Sequence, residues 1–135
     1  MRVMIDTNII ISAALFPNGR AAQAFRKALV FPFKHLICDY VIEELHDKFN
    51  TKFADRKIEL EAFLYNSLRD MQVISTPTDE ADTEYLIRDV KDRPILRAAL
   101  DAHADLFLTG DKDFLESSVK DPRIVSAADF LDNTF

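Results

Sequence analysis

Five short apolar runs, each ended by a polar or turn residue, constrain this chain more than any other feature. They cover residues 2–5, 36–38, 72–74, 106–109 and 124–125. Each is too short for a buried helix, and an unbroken apolar run suits a strand covered on both faces. The segments between them read as helices. Residues 8–16 are apolar and end at Pro17-Asn18-Gly19, a turn signal. Residues 20–29 place Ala21, Ala24, Phe25, Ala28 and Leu29 on one helical face. Asp39 stands where it can cap a helix carrying Val41, Ile42, Leu45, Phe49 and Phe53. Residues 56–69 form a further helix with Ile58, Ala62, Phe63 and Leu64.

Thr78 is placed to cap a helix running to about Arg88. Asp92-Arg93-Pro94 opens another, since Asp favours the N-cap and Pro the first turn. That helix is apolar nearly all round to Ala104, so it should be buried, with Arg97 and Asp101 spaced to pair. Residues 112–117 make a short helix, and Ser126 with Asp129 opens the last one. Strands alternating with helices imply an α/β fold with a parallel sheet covered on both faces.

At 135 residues the chain is expected to be one domain, residues 1–135. A 48% share of apolar residues is enough to bury its core without disulfides. The one cysteine, Cys38, lies in an apolar context and reads as a small buried hydrophobe. No apolar stretch approaches a membrane span, and Asp6 and Asn8 interrupt the region a signal peptide would need. A cytoplasmic protein with no membrane contact is the expectation. The net charge of −6 disfavours broad nonspecific nucleic-acid binding. With four clustered carboxylates set aside, the rest carries only −2.

The acids have a pattern. Ligands of open parallel sheets bind at the carboxyl ends of strands. Asp6 follows the first strand directly, and Asp111 follows the fourth after one glycine. Asp92 heads the helix that returns to that fourth strand. An acid in such a position is also an ordinary helix cap, and only the combination points to chemistry. Carboxylates gathered at one edge repel one another unless a cation is present. Oxygen ligands without thiolate or imidazole favour Mg²⁺ or Mn²⁺ over zinc. Helical phase does not choose between Glu43 and Glu44, each roughly 130° from the centre of the apolar stripe at about 100° per residue.

Together these residues resemble the PIN domain family. The resemblance rests on Asp6-Thr7-Asn8 after the first strand, Glu44-Leu45, and Asp92 before Pro94-Ile95. Its most specific part is Ala104-Asp105, an apolar strand and then Thr109-Gly110-Asp111-Lys112-Asp113-Phe114-Leu115. It spans nearly the whole chain and is similar to the compact prokaryotic (VapC-like) toxin components of toxin–antitoxin pairs. It implies a three-layer α/β/α fold and Mg²⁺- or Mn²⁺-dependent endoribonuclease activity leaving a 5′-phosphate and a 3′-hydroxyl. It implies Asp6, Glu44, Asp92 and Asp111 as the catalytic and metal-holding acids, choosing Glu44 over Glu43. Asp113 is implied as an outer ligand, with Asn8 and Thr109 as polar supports of the site. His103 matches no functional position of the family.

Lys112 and Arg93, beside Asp111 and Asp92, are candidates to steer the RNA phosphate, with Arg20, Arg26, Lys27 and Lys34 as a wider track. The resemblance also implies a small antitoxin as partner and a homodimer, for which Phe49, Phe53 and Phe63 are candidate contacts. Two other readings stand beside the ribonuclease: a non-catalytic interaction module, and a phosphohydrolase forming an aspartyl-phosphate on Asp6. The second expects an Asp two positions later, where this chain has Asn8.

Overall fold

A computed structural model describes residues 1–135. Five parallel strands form one sheet: β1 (Arg2–Ile5), β2 (Lys34–Cys38), β3 (Gln72–Ile74), β4 (Leu106–Leu108) and β5 (Arg123–Val125). Their order is β3-β2-β1-β4-β5. In β1 the last three residues are fully buried, as are all three of β4. That is the burial an unbroken apolar strand requires at the centre of a covered sheet.

Seven helices connect and cover the strands. They are α1 (Thr7–Leu15), α2 (Arg20–Ala28), α3 (Asp39–Asn50), α4 (Lys57–Leu68), α5 (Arg93–Asp101), α6 (Lys112–Leu115) and α7 (Ala127–Asp132). Helix α2 packs against α1 and α7, and α1, α3 and α4 pack against one another. After β3 the chain crosses back past β2 and β1, and β4 and β5 extend the sheet on the other side of β1. By the right-handed rule for such crossovers, the connections through α5 and α6 then belong on the opposite face. No helix is long and apolar enough to cross a membrane.

The strands lie within a residue or two of where the apolar runs place them. The helix expected over residues 78–88 does not form. That stretch is irregular apart from a 3-10 turn at Glu84–Leu86. Asp79, Glu80, Asp82 and Glu84 crowd it with like charges at helical spacing, which opposes a helix. Glu84 is instead buried, and Arg97 grips it with two contacts of 2.9 Å. Arg97 therefore does not pair with Asp101. A bidentate guanidinium–carboxylate contact is stronger than an exposed pair one turn apart.

Three of the four cations of the wider basic track, Arg20, Arg26 and Lys27, are engaged elsewhere. Arg20 binds Asp132 at 2.9 Å, and the Lys27 ammonium donates to the Phe130 carbonyl and sits 4.6 Å from its ring centre. Arg26 donates to the Pro17 carbonyl at 3.0 Å. These cations fasten the α1–α2 turn and the last helix. Of the Phe stripe, Phe49 is buried while Phe53 and Phe63 pack partly buried against the core.

Candidate metal centre

The reversal of strand order falls between β1 and β4, so the crevice of the sheet opens where both end. Asp6 and Asp111 leave these two strands. The Asp6 amide continues the ladder by donating to the Leu108 carbonyl at 3.0 Å. Its carboxylate is almost wholly buried. Oδ1 accepts from the Thr7 amide at 2.8 Å and Oδ2 from the Thr109 hydroxyl at 2.7 Å. The Thr109 oxygen accepts in turn from the Asp111 amide at 3.0 Å. One buried hydroxyl thus ties the two strand-end acids into a fixed arrangement. Asp111 caps α6 by accepting from the Asp113 amide at 2.9 Å.

Asp92 is the last residue of a 3-10 turn, Val90–Asp92, that feeds α5. It does not cap α5 through its side chain, contrary to the capping expectation, because its backbone is already helical there. Its carboxylate is therefore free. Asp89 caps the 3-10 turn instead, accepting from the Lys91 amide at 3.0 Å. At three residues per turn, Asp89 and Asp92 stand one above the other.

Glu44 is half-buried on α3, with Lys48 one turn on at 3.4 Å. The Lys48 ammonium also reaches the Asn8 side-chain oxygen at 3.5 Å. Asp6, Asn8, Glu44, Lys48, Asp89, Lys91, Asp92 and Asp111 line one cavity of about 270 Å³ with no apolar residue in its wall. Five carboxylates meet two ammonium groups there.

Charge and burial show in the acids. Burial pushes the Asp6 carboxyl up to about 6, against its hydrogen bonds to Thr109 and Thr7 and with Glu44 and Asp111 adding repulsion. Asp92 is pushed up to about 7, by burial first and then by Asp111, Asp6, Asp89 and Glu44. Desolvation is the larger cause in both, and the like charges around them add to it.

All four principal acids and Asn8 thus meet at one cavity, with Thr109 buried beneath it. Asp113 lies beside that cavity rather than in its wall. One carboxylate oxygen from each of Asp89, Asp92 and Asp113 falls within 4.8 Å of the others. Arg88 holds Asp113 at 2.9 Å. Lys112 is exposed and outside the wall. Arg93 turns away: its Nε donates to the Ile87 carbonyl at 2.9 Å, and it lines a separate cavity of about 440 Å³ with Glu84 and Arg97. His103 is exposed at φ 53° just beyond α5. Cys38 is buried, which pushes its thiol up to about 11.

Sequence reasoning missed Asp89, Lys48 and Lys91. The Glu44–Lys48 spacing was a readable signal, whereas Asp89 was hidden by the helix expected to precede it. The donor set is carboxylate oxygen throughout, in a polar cavity where Asp6 and Asp92 bind protons more tightly than usual. A hard divalent cation such as Mg²⁺ or Mn²⁺ fits these residues. Asp6, Glu44 and Asp111 share the cavity wall with Asp92, while the carboxylate oxygens that approach within 4.8 Å of one another are those of Asp89, Asp92 and Asp113.

The model of the PIN domain family matches residues 2–113, which include every one of these acids. No curated protein matches the sequence. Among solved structures, the fold is similar to a chain of VapBC2 from Rickettsia felis bound to a DNA fragment from its promoter. The TM-score is 0.71 at 15% identity, over 93% of this chain and 98% of that one. It is also similar to a chain of DNA-bound VapBC from Salmonella typhimurium, with a TM-score of 0.69 at 17% identity over 94% and 98%. At such identities the likeness is one of fold. The family model carries the sequence evidence: this chain belongs to the PIN domain family.

Proposed function

We propose that the protein is a Mg²⁺- or Mn²⁺-dependent endoribonuclease, the toxin of a toxin–antitoxin pair, acting in the cytoplasm. The observation that carries the nuclease reading is the meeting of Asp6, Glu44, Asp92 and Asp111 in one polar cavity at the switch point of the sheet. The toxin reading draws on the family and on the fold shared with the VapBC complexes. A small antitoxin as partner and a homodimer belong to that same reading.

When bound, the cation supplies Lewis-acid chemistry, acidifying water and neutralising phosphoryl charge. The residues do the rest. Asp6 is immobilised by Thr7 and Thr109, so its geometry is set before substrate arrives. Asp92 presents a carboxylate that has no cap to satisfy. Asp111 is oriented by its amide bond to Thr109. Lys48 offsets part of the charge of Glu44. Lys48 and Lys91, as the two cations in the wall, take the phosphate-steering role for which Arg93 is turned the wrong way. Asp113, tied to Arg88, is an outer support. The aspartyl-phosphate reading is disfavoured, because Asn8 stands where that chemistry expects a second Asp.

The test compares the parent with Asp6→Asn and Asp111→Asn on a mixed RNA pool, with Mg²⁺, with Mn²⁺ and with chelator. Cleavage by the parent alone, and only with metal, is expected. Metal-independent cleavage, or undiminished cleavage by the variants, would overturn the mechanism.

A further inference from the structure

The acidic cavity continues into a second one of about 410 Å³, and the two share Glu44 and Lys91. One wall of this extension is a single stripe of α3: Tyr40, Glu43, Glu44 and Asp47, at helical positions i, i+3, i+4 and i+7. The facing wall is Lys91 and Pro94. Tyr40 is 44% exposed and lines the cavity. Its backbone is firmly held. The Asp39 carboxylate accepts from the Tyr40 amide at 2.9 Å and from both the amide and the hydroxyl of Thr76. The first turn of α3 is thereby pinned to the chain leaving β3. Glu43 and Asp47 are exposed, and neither takes part in an ion pair, unlike Glu44.

Three carboxylates against one ammonium make a poor track for a phosphate backbone. They suit a neutral planar group that carries N–H donors. Aromatic side chains stack nucleobases irrespective of sequence. Ionised carboxylates only accept hydrogen bonds, so they select the base edge that donates. Guanine presents two adjacent donors, N1–H and N2–H, which one carboxylate takes in parallel. Adenine and cytosine present a single amino group, and uracil one imide N–H. Lys91, at the junction of the cavities, stands where the phosphate between this base and the acids would pass.

We propose that the groove between α3 and residues 91–94 is a base-recognition subsite for single-stranded RNA. It stacks one base, guanine in preference, on Tyr40, and reads it through Glu43 and Asp47 next to the scissile phosphate. This rests on the ribonuclease reading, so binding and cleavage are measured separately.

Binding is followed by fluorescence anisotropy in the presence of Ca²⁺, on labelled U-tracts carrying one G, one A or one C. The parent should bind the G-bearing tract best. Tyr40→Ala should weaken that tract about 10- to 100-fold and the plain U-tract least, and Tyr40→Phe should keep the parental affinity. Glu43→Gln combined with Asp47→Asn should level G with A. With Mn²⁺, parental cuts should fall at a fixed offset from G. Equal affinity for all tracts, or parental affinity in Tyr40→Ala, overturns the subsite. Absence of cleavage alongside Tyr40-dependent binding supports the subsite and sinks the nuclease. Cleavage without base preference does the reverse. Tyr40-dependent binding of an arginine-rich peptide, with RNA affinity unmoved, overturns the proposal in favour of a basic protein partner.

Discussion

At the scale of single residues, two kinds of buried ionisable group pull stability in opposite directions with pH. His35 on β2 is 2% exposed, has no hydrogen-bond partner at either ring nitrogen, and meets the Phe25 ring edge-on at 4.6 Å. Burial lowers it to about 4. A free histidine protonates near 6.5, so between those values the unfolded chain takes up a proton that the folded chain refuses. Stability is whole above about pH 6.5 and is lost as the pH falls towards 4. The loss is on the order of 3 kcal/mol. Thermal melts of His35→Leu should show a smaller acid-side fall in Tm than the parent; an identical fall would refute the assignment.

The raised carboxyls have the other sign. Asp92, pushed up to about 7, favours the protonated form in the folded state. Its charge is a cost that is full above that value and shrinks as the pH falls towards 4. In chelator at about pH 8, above that raised value, Asp92→Asn should therefore melt several degrees higher than the parent, and the gap should narrow on acidification. A lower Tm for the variant under those conditions would show that the carboxylate is not under repulsion.

At the scale of elements, the strands were legible because each apolar run ends abruptly. Asp6 and Asp111 were legible because they stand just past two of those ends. Glu44 was not separable from Glu43 by phase, since both flank the apolar stripe of α3. The segment between β3 and α5 was misread. Thr78 looked like a cap, but a cap cannot sustain a helix whose next turns are mostly acidic. Charge decided that region: Glu84 leaves the surface, and Arg97 on α5 collects it. The same misreading concealed Asp89, which becomes part of the site only because a 3-10 turn stacks it on Asp92. Arg93 was placed by adjacency to Asp92, and adjacent helical residues do not face the same way. The buried pair makes its own prediction. Glu84→Gln leaves the Arg97 guanidinium without its counter-charge and should lower stability in chemical denaturation by more than an ordinary surface substitution does. A change under about 0.5 kcal/mol, typical of surface substitutions, would mean that the pair does not hold the segment.

At the scale of the molecule, the acids join segments that are far apart in the chain: the ends of β1 and β4, the middle of α3 and the turn before α5. A cation held among them would fasten all four segments of the folded chain and none of the unfolded chain. Millimolar Mn²⁺ should raise Tm, since ligand at about 100 times its Kd adds about 2.7 kcal/mol. The rise should be lost in Asp111→Asn. An equal rise in parent and variant would place the binding elsewhere.

The pairing of Val3 with Leu106 puts β4 beside the first strand of the chain. Contacts of such sequence separation close late, because the loop entropy comes before the reward. During synthesis the chain emerges from its N-terminal end. Asp6 and Glu44 leave the ribosome long before Thr109 and Asp111 exist to complete the crevice. A nascent chain therefore carries half of the acidic crevice. The crevice is complete only once β4 pairs with β1, and β5, later in the chain, pairs with β4.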